Sequence, residues 1–251
     1  MTKTPTTRIL AVSQDAKTTK GEKQGYLTGV NYMAQGDTSG YEVCAGRTPS
    51  CFSECLGGKG RAEFTPSIPA SRIAKTRWFF EDRTAFMTML VRDIRALVRK
   101  ADRLDLTPCV RLNGTSSINW NRSLGDGRIN VFDLFPDIQL YDYSEQIKQM
   151  RKYMRGEQPN NYHLTFSRKE NNWHDCVEVL ECGSNVAAVF GILKGEAMPD
   201  SYRGYQVIDG DDSDLRFLDP QQGLIVGLRP KGSNQKLERD RMLLNGMAIP
   251  V

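Results

Sequence analysis

The sequence is short of the residues on which many classical enzymes depend. It has only two histidines, His163 and His174, so proton-shuttle catalysis has few candidates. It contains no nucleophile–histidine–carboxylate set, no Walker loop and no dinucleotide-binding fingerprint. No apolar run approaches the roughly 18 residues of a membrane span, and the polar start of the chain lacks the apolar core of a signal peptide. We therefore expect a cytoplasmic protein that makes no contact with a membrane.

The chain also has only a small excess of positive over negative charge. The 251 residues carry a formal net charge of only +4, with 39% hydrophobic and 25% charged residues, which is ordinary globular composition. This balance permits contact with nucleic acid or phosphate but does not indicate it, because local clusters of one sign matter more than the total. The length allows one large α/β domain or two small ones.

Cysteine is concentrated in one loop, predicted at residues 41–61. Cys44, Cys51 and Cys55 fall within twelve residues, among glycines and a proline that favour a tight turn. If Ser50 caps a helix, Cys51 and Cys55 lie on one helical face near its positive end, where thiolates are favoured. In a reducing cytoplasm, such clustering indicates a metal or catalytic role rather than disulfides.

The number of thiols bears on which metal the loop binds. A closed zinc site requires four ligands, and this loop has three with no histidine close in sequence. Three cysteines suit a [4Fe-4S] cluster with one iron left open for water, a substrate or a cofactor. Zinc with a distant fourth ligand, and thiols that bind no metal, remain alternatives.

Strand and helix patterns alternate through the middle of the chain. Strands are predicted at 26–34, 108–113, 138–143, 162–167 and 186–191, with helical segments at 131–135, 145–155 and 173–182 between some of them. Short apolar strands are also predicted at 9–12, 204–209 and 224–228, and the polar segment 16–22 reads as a connection. The alternation predicts an α/β fold, a partial or distorted TIM-like barrel of mostly parallel strands with crossover helices. We divide the chain into an N-terminal extension (1–24), a single barrel-like domain (25–236) and a C-terminal tail (237–251).

A long amphipathic pattern begins at Ser71, after Pro66 and Pro69. Apolar residues recur there at steps of three and four up to Val98, which predicts one helix or a broken pair covering a core. Its charged side carries arginines. We interpret them as a solvated face, with nucleic-acid contact as the alternative: Arg77, Arg83, Arg92, Arg95 and Arg99.

Polar residues concentrate where the predicted strands end. The carboxyl ends of parallel strands open on one face of a sheet or barrel, so these residues are expected to converge with the cysteine loop on one pocket. Arg168 or Lys231 would there bind a carboxylate or phosphate. The candidate ligand-binding residues are Asn113, Thr115, Asp142, Ser167, Arg168, Asp209 and Lys231. No catalytic residue is assigned.

Simpler interpretations stand beside these. Asn113-Gly114 is also a turn signal, and the acidic segment 209–214 lacks the full calcium-loop pattern, so a solvated or capping turn is favoured there. His163 reads as a core residue and His174 as a surface residue. The other three cysteines read as reserve ligands at most: Cys109, Cys176 and Cys182.

Several segments together resemble one family of phage and prophage proteins of uncharacterised function, the gene-product-eighty-eight-like proteins. The resemblance spans roughly residues 16–236 and is strongest at 24–27, 55–61, 110–116, 139–143, 161–168 and 214–220. It implies phage origin, and it identifies Cys44, Cys51 and Cys55 with the cysteine triplet of the family. Ala45 and Gly46 stand where the family pattern has a proline and an aromatic residue.

The cysteine triplet on a strand–helix repeat also makes the chain similar in architecture to the radical S-adenosylmethionine enzymes. Those enzymes have the spacing C-x3-C-x2-C, whereas this chain has C-x6-C-x3-C. This resemblance implies a [4Fe-4S] cluster, S-adenosylmethionine as a possible cofactor, and a small-molecule ligand at the open iron. The first hypothesis is thus an iron–sulfur protein in the cytoplasm of the infected bacterial host. The alternative is a binding or structural phage protein, in which zinc or a cluster only stabilises the loop and a basic surface contacts nucleic acid.

Overall fold

The structure is a computed structural model that describes residues 8–13, 16–121 and 130–251. Ten strands lie in the described ranges. In chain order they are β1 Leu10–Val12, β2 Tyr26–Asn31, β3 Thr107–Arg111, β4 Gln139–Ser144, β5 Tyr162–Ser167, β6 Val186–Phe190, β7 Ser201–Tyr202, β8 Tyr205–Asp209, β9 Ile225–Leu228 and β10 Ala248–Ile249.

Nine α-helices occur in the same ranges. They are α1 Ala16–Glu22, α2 Pro49–Ser53, α3 Arg61–Phe64, α4 Ser67–Glu81, α5 Arg83–Leu104, α6 Val131–Leu134, α7 Ile147–Met154, α8 Trp173–Glu181 and α9 Gln235–Leu244. Two 3-10 turns accompany them, at Leu56–Gly58 and Arg216–Leu218. No helix in the described part of the chain combines the length and apolarity needed to cross a membrane.

The strands form one mixed sheet that is mostly parallel, which confirms the α/β class. Its order is β1-β2-β3-β4-β5-β6-β9-β8-β7, with β10 also paired to β6. The pairs β2–β3, β3–β4, β5–β6, β6–β9 and β8–β9 are parallel, whereas β1–β2 and β7–β8 are antiparallel. The described strands do not close into a barrel.

The chain divides into two compact units. The first comprises Met1–Ala45, Thr65–Asp142 and Gln158–His163, subject to the gaps in description given above. The second comprises Gly46–Phe64, Tyr143–Glu157 and Leu164–Val251. The cysteine-rich segment therefore contributes Cys44 to the first unit and Cys51 and Cys55 to the second.

In the first unit, α4 and α5 are the broken helical pair that the apolar pattern allowed. The break falls at Asp82, whose backbone leaves the helical region (φ −140°, ψ 75°) and whose side chain accepts a hydrogen bond from the N–H of Ala85. A buried stripe of apolar side chains along α5 covers β1, β2 and β3. The ring of Phe79, on α4, packs against the rings of Phe86 and Trp120, with centroid separations of 5.1 Å in both pairs. An apolar core therefore lies between this pair and the sheet.

Two sequence-based boundaries in this unit are wrong. Helix α4 begins at Ser67 rather than Ser71, because Pro69 lies in its first turn, where its missing N–H costs nothing. Residues 16–22 form helix α1 rather than a connection, and α1 packs on β2. Tertiary contact stabilises this short polar helix, whose own sequence has little helical preference.

In the second unit, β6 is the central strand. It pairs with β5, β9 and β10, and its side chains are almost all buried. Helix α8 packs on it through Cys176, Val179 and Leu180. Helix α9 and β10 follow residue 234, and β10 pairs with the last two residues of β6.

Candidate functional site

The segment after Gly46 begins with helix α2. Thr48 is the N-cap, with its hydroxyl oxygen 3.1 Å from the N–H of Cys51, and Pro49 occupies the first helical position. The expectation that Ser50 caps this helix is therefore wrong, because Pro49 is suited to the first turn and moves the start toward the N-terminus. The helix is only five residues long and ends at Ser53, so Cys51 lies within it and Cys55 lies beyond it.

Cys55 instead begins the next turn. Its sulfur accepts a hydrogen bond from the N–H of Gly57 at 3.3 Å, and it caps the 3-10 turn Leu56–Gly58. The expected common helical face for Cys51 and Cys55 is thus not formed. Both side chains are half-buried, and neither is in a disulfide.

The electrostatic surroundings of Cys51 disfavour its thiolate. Burial raises the pKa of Cys51 to about 11, with further increases from the negative charges of Glu145 and Cys55 and a decrease from Lys169. At neutral pH the thiol is therefore protonated unless a cation replaces the proton.

Residues directly after β4 and β5 surround the base of α2. Lys169, which is buried, donates from Nζ to the carbonyl of Gly46 at 2.5 Å, and Thr48 donates to Glu170 Oε2 at 3.0 Å. Glu145 Oε1 is buried with no hydrogen-bond partner among the described residues, and a Cβ placed on Gly46 would lie 3.2 Å from it. The base of α2 is therefore bordered by one unsatisfied carboxylate oxygen and one buried ammonium.

Glu145 and Lys169 were missed from the sequence. A signal for both was present, because Glu145 comes immediately after the last residue of β4 and Lys169 two residues after β5. The rule that ligand groups follow the carboxyl ends of parallel strands applies to them as well as to the polar residues that were chosen.

Cys44 belongs to the first unit. It is half-buried, and its backbone N–H donates to Glu42 Oε1 at 2.7 Å. Within residues 8–13, 16–121 and 130–251, no three His, Cys, Asp or Glu side chains are arranged to hold a metal ion. The donor types at positions 44, 51 and 55 suit a cluster, but the described arrangement does not, so metal binding by Cys44, Cys51 and Cys55 stays a prediction.

Asn113 and Asp142, predicted as ligand contacts, form a buried network in the first unit. Asp142 is fully buried and accepts from the Asn113 backbone N–H (2.7 Å), from Asn113 Nδ2 (3.2 Å) and from the Tyr162 hydroxyl (2.9 Å). Burial raises the pKa of Asp142 to about 7, although these hydrogen bonds and the charge of Arg111 oppose the shift. The hydrogen-bonding groups of Asn113, Asp142 and Tyr162 therefore bind one another rather than a ligand.

Asn113 also organises the chain that follows β3. Its Oδ1 accepts from the Ser116 hydroxyl (2.9 Å), the Ile118 N–H (3.0 Å) and Trp120 Nε1 (3.0 Å). Gly114 lies so close to β2 that an added Cβ would meet Val30 and Asn31 within 2.8 Å. The Asn-Gly pair therefore makes a turn that packs against the neighbouring strand.

The other predicted ligand residues also make contacts within their own unit. Thr115 donates to the carbonyl of Met33 at 2.6 Å, and Arg168 Nη1 donates to the carbonyls of Gly246 and Met247 at 2.7 and 2.8 Å. Ser167 ends β5, half-buried, and its carbonyl accepts from Asn172.

The acidic turn at 209–214 forms ion pairs. Asp209 pairs with Arg229 at 2.8 Å and Asp211 with Lys231 at 2.5 Å, while the Asp211 N–H donates to Asp209 Oδ1. Desolvation of Asp211 is outweighed by Lys231 and Arg229, which lower its pKa. Binding of a further ligand by Asp209 or Lys231 would have to break these pairs, so that role stays a prediction.

Both histidines lie where the simpler interpretation put them, and the reserve-ligand role of the other three cysteines stays a prediction. Cys109 is buried on β3, 3.3 Å from the Thr28 hydroxyl, and Cys176 is buried on α8, whereas Cys182 is exposed. His163 is buried on β5, and the side chain of His174 is 95% exposed.

Together, the mostly parallel sheet and the cysteine-bearing loop after β2 define an α/β protein with polar groups gathered at strand ends. Compared with models of known families, residues 8–243 match the family described as Gene product 88. The chain belongs to this family, which confirms the family resemblance found in the sequence. No curated protein and no solved structure matches the chain. The resemblance to radical S-adenosylmethionine enzymes gains no support from these comparisons and is carried forward only as a proposal.

Proposed function

We propose that this chain is a phage-encoded iron–sulfur protein in which Cys44, Cys51 and Cys55 bind a [4Fe-4S] cluster and leave one iron open to a small ligand. The observation that carries the proposal is the placement of three thiols, none of them in a disulfide, within the twelve residues 44–55 on the loop that follows the first parallel strand. A cytoplasmic location in the infected bacterial host would keep these thiols reduced.

The strand order supports a partial TIM-like barrel as the framework. Strands β2 to β6 are neighbours in the same order in which they occur in the chain, and β9 continues the series. Singly wound strands of this kind form barrels or parts of barrels, in which the loops after the strands share one functional end. A cysteine loop after β2 belongs to that set of loops.

The side chains near Cys51 and Cys55 favour a bound cation. A metal would replace the proton that burial and Glu145 hold on Cys51, and thiolate ligation would offset the cost of burial. The described thiols do not share a coordination sphere, so binding requires segment 44–55 to rearrange around the cluster. When bound, an iron with an open position supplies Lewis-acid or redox chemistry to its ligand.

S-adenosylmethionine is the small ligand that we propose first, because three cysteines with one open iron suit a chelating cofactor. Glu145 and Lys169 are the charged groups that act on Cys51, and we propose them as contacts for the amino and carboxylate groups of such a ligand. The residues predicted earlier at the other strand ends would contribute only by giving up internal bonds.

Anaerobic purification and reconstitution test the proposal. About four irons and four sulfides per chain, with a Mössbauer spectrum of a [4Fe-4S] cluster, are expected. Alanine at position 44, 51 or 55 should abolish cluster retention, whereas the matched variant Cys182→Ala, which removes an exposed thiol, should retain it. One zinc and no sulfide per chain would overturn the iron–sulfur assignment.

Zinc bound only to stabilise the loop is the second candidate, favoured by the half-buried thiols of the loop. It predicts that chelation lowers thermal stability and that S-adenosylmethionine does not bind. Isothermal titration with S-adenosylmethionine, before and after reconstitution, separates the two candidates.

A further inference from the structure

The outward face of α5 carries three arginines in a row. Helical periodicity places Arg92, Arg95 and Arg99 on the side opposite the buried stripe of the same helix. With a rise of about 1.5 Å per residue, their Cα atoms are spread over about 10 Å along the helix axis. The buried stripe is Phe86, Met87, Leu90, Ile94, Leu97 and Ala101.

These arginines line a concave groove. Its volume is about 290 Å³, and α6 forms its second wall through Leu134, whose surface is 50% exposed. Thr88 and Val91 complete the α5 side of the groove. The lining therefore combines three positive charges with two apolar side chains, all within the first unit.

None of the three guanidinium groups makes an ion pair within the part of the chain that the structure describes. Asp93, on the same helix, is occupied elsewhere, because its Oδ2 accepts from the N–H groups of Ile9 and Leu10 at 2.5 and 3.0 Å. Asp133, next to Leu134, accepts from Asn130.

The other two of the five arginines that the sequence grouped together have internal roles. Arg77 donates to the carbonyl of Ser39 at 2.9 Å, and Arg83 lies over the Phe79 ring at 3.5 Å. The five arginines that the sequence grouped together thus fall into two that support the fold and three that line the groove.

We propose that this groove binds the phosphate backbone of a single-stranded nucleic acid. Three guanidiniums in a row, with no ion pair among the described residues, match a polyanion, and guanidinium forks suit phosphate oxygens. Val91 and Leu134 offer apolar contact to sugar and base faces, which a uniformly acidic peptide such as polyglutamate would leave unused. The concave shape admits a strand, whereas entry into the major groove of a duplex requires a protruding helix or β-ribbon.

Fluorescence anisotropy with a labelled oligothymidylate, measured on the full chain at several salt concentrations, tests this inference. The variant R92Q/R95Q/R99Q should bind at least about tenfold more weakly at low salt, and the slope of log K against log salt should fall by about two. The charge-matched control R151Q/R155Q/R239Q removes three exposed or partly exposed arginines that already pair with Glu178, Glu157 and Asp240. It should change affinity less than about threefold.

A second variant separates shape from charge. Leu134→Ser should weaken binding while leaving the salt slope unchanged, because it removes apolar contact and no cation. Circular dichroism melts confirm that each variant is folded.

Three outcomes would overturn the inference. These are absence of oligothymidylate binding at low salt, equal losses in the two triple variants, and competition by polyglutamate as effective as by oligothymidylate, which would indicate an acidic protein partner. Binding that survives alanine at all three loop cysteines shows that the groove acts independently of the proposed cluster.

Discussion

Two groups of polar residues lie at or near strand ends in this protein, and they differ in how fully their hydrogen bonds are satisfied. In the first unit, Asp142 and Asn113 accept six hydrogen bonds between them, three each. In the second unit, Glu145 Oε1 is buried without a partner in the described chain, and the pKa of the nearby Cys51 is raised. Both groups looked alike in the sequence.

The difference separates structural polarity from binding capacity. A buried group whose acceptors are all used stabilises its own fold, and a ligand gains nothing by displacing those bonds. A buried group left unsatisfied costs free energy until a partner arrives. The Asn113–Asp142 network therefore stabilises the fold, and the loop around Cys51 is the candidate for binding a ligand.

The largest expected effect is the loss of the network. Asp142→Ala removes the acceptor that Asp142 offers to the Asn113 N–H, to one hydrogen of the Asn113 amide and to the Tyr162 hydroxyl, so we expect a loss of about 4 kcal/mol in the free energy of unfolding. Denaturant titration measures it. The exposed Asp137→Ala serves as the control, with a change under about 0.5 kcal/mol. A similar small change for Asp142 would remove the distinction between the two groups.

The next effect depends on pH. Because the pKa of Asp142 is raised from 3.8 to about 7 on folding, the folded protein holds a proton that the unfolded chain releases. Stability from this group is fully present below pH 3.8 and is lost as pH rises toward 7. Relative to Asp142→Asn, the wild-type free energy of unfolding should fall by on the order of 1 kcal/mol per pH unit in that window. Parallel profiles for the two proteins would contradict the assignment.

A smaller effect is expected at the far side of the cysteine loop. Glu54, just before Cys55, is buried and accepts from Arg241 at 2.7 and 2.7 Å and from Asn245 at 3.0 Å. Glu54→Gln turns one acceptor into a donor facing Arg241, so we expect a loss of about 2 kcal/mol by thermal or chemical unfolding. Glu181→Gln, at an exposed helix end, is the matched control and should be silent.

The smallest effect is expected at the thiol itself. Cys51→Ser in metal-free protein should change the free energy of unfolding by less than about 1 kcal/mol, because Cys51 is only half-buried and serine replaces its sulfur with an oxygen that can make the same kind of contact. The same substitution should abolish cluster binding. A large loss of stability without metal would place Cys51 with the structural group instead.

Periodicity in the sequence was enough to predict most of the sheet. The strand Tyr162–Ser167 was predicted to the residue, and the parallel alternation from β2 to β6 followed from apolar runs separated by helical segments. The break between α4 and α5 was left open, because the departure of Asp82 from helical geometry is a local event that no periodic pattern records.

The roles at strand ends were harder to predict. Asn113 and Asp142 are 29 residues apart, and only the register of β3 against β4 brings them together. A list of polar residues therefore could not distinguish a saturated pair from Glu145, whose acceptor lacks a partner. Helix α1 was missed for the same reason, since packing on β2 rather than its own composition stabilises it.

The pairing of β10 with β6 has a consequence for synthesis. Phe190 finds its parallel neighbour in Ile249, about 60 residues later in the chain, and Gly191 donates to the carbonyl of that same residue at 2.8 Å. During synthesis, the end of β6 cannot complete its backbone pairing until residues 248–249 have left the ribosome. Until then, its unpaired backbone groups are open to pairing with other nascent chains.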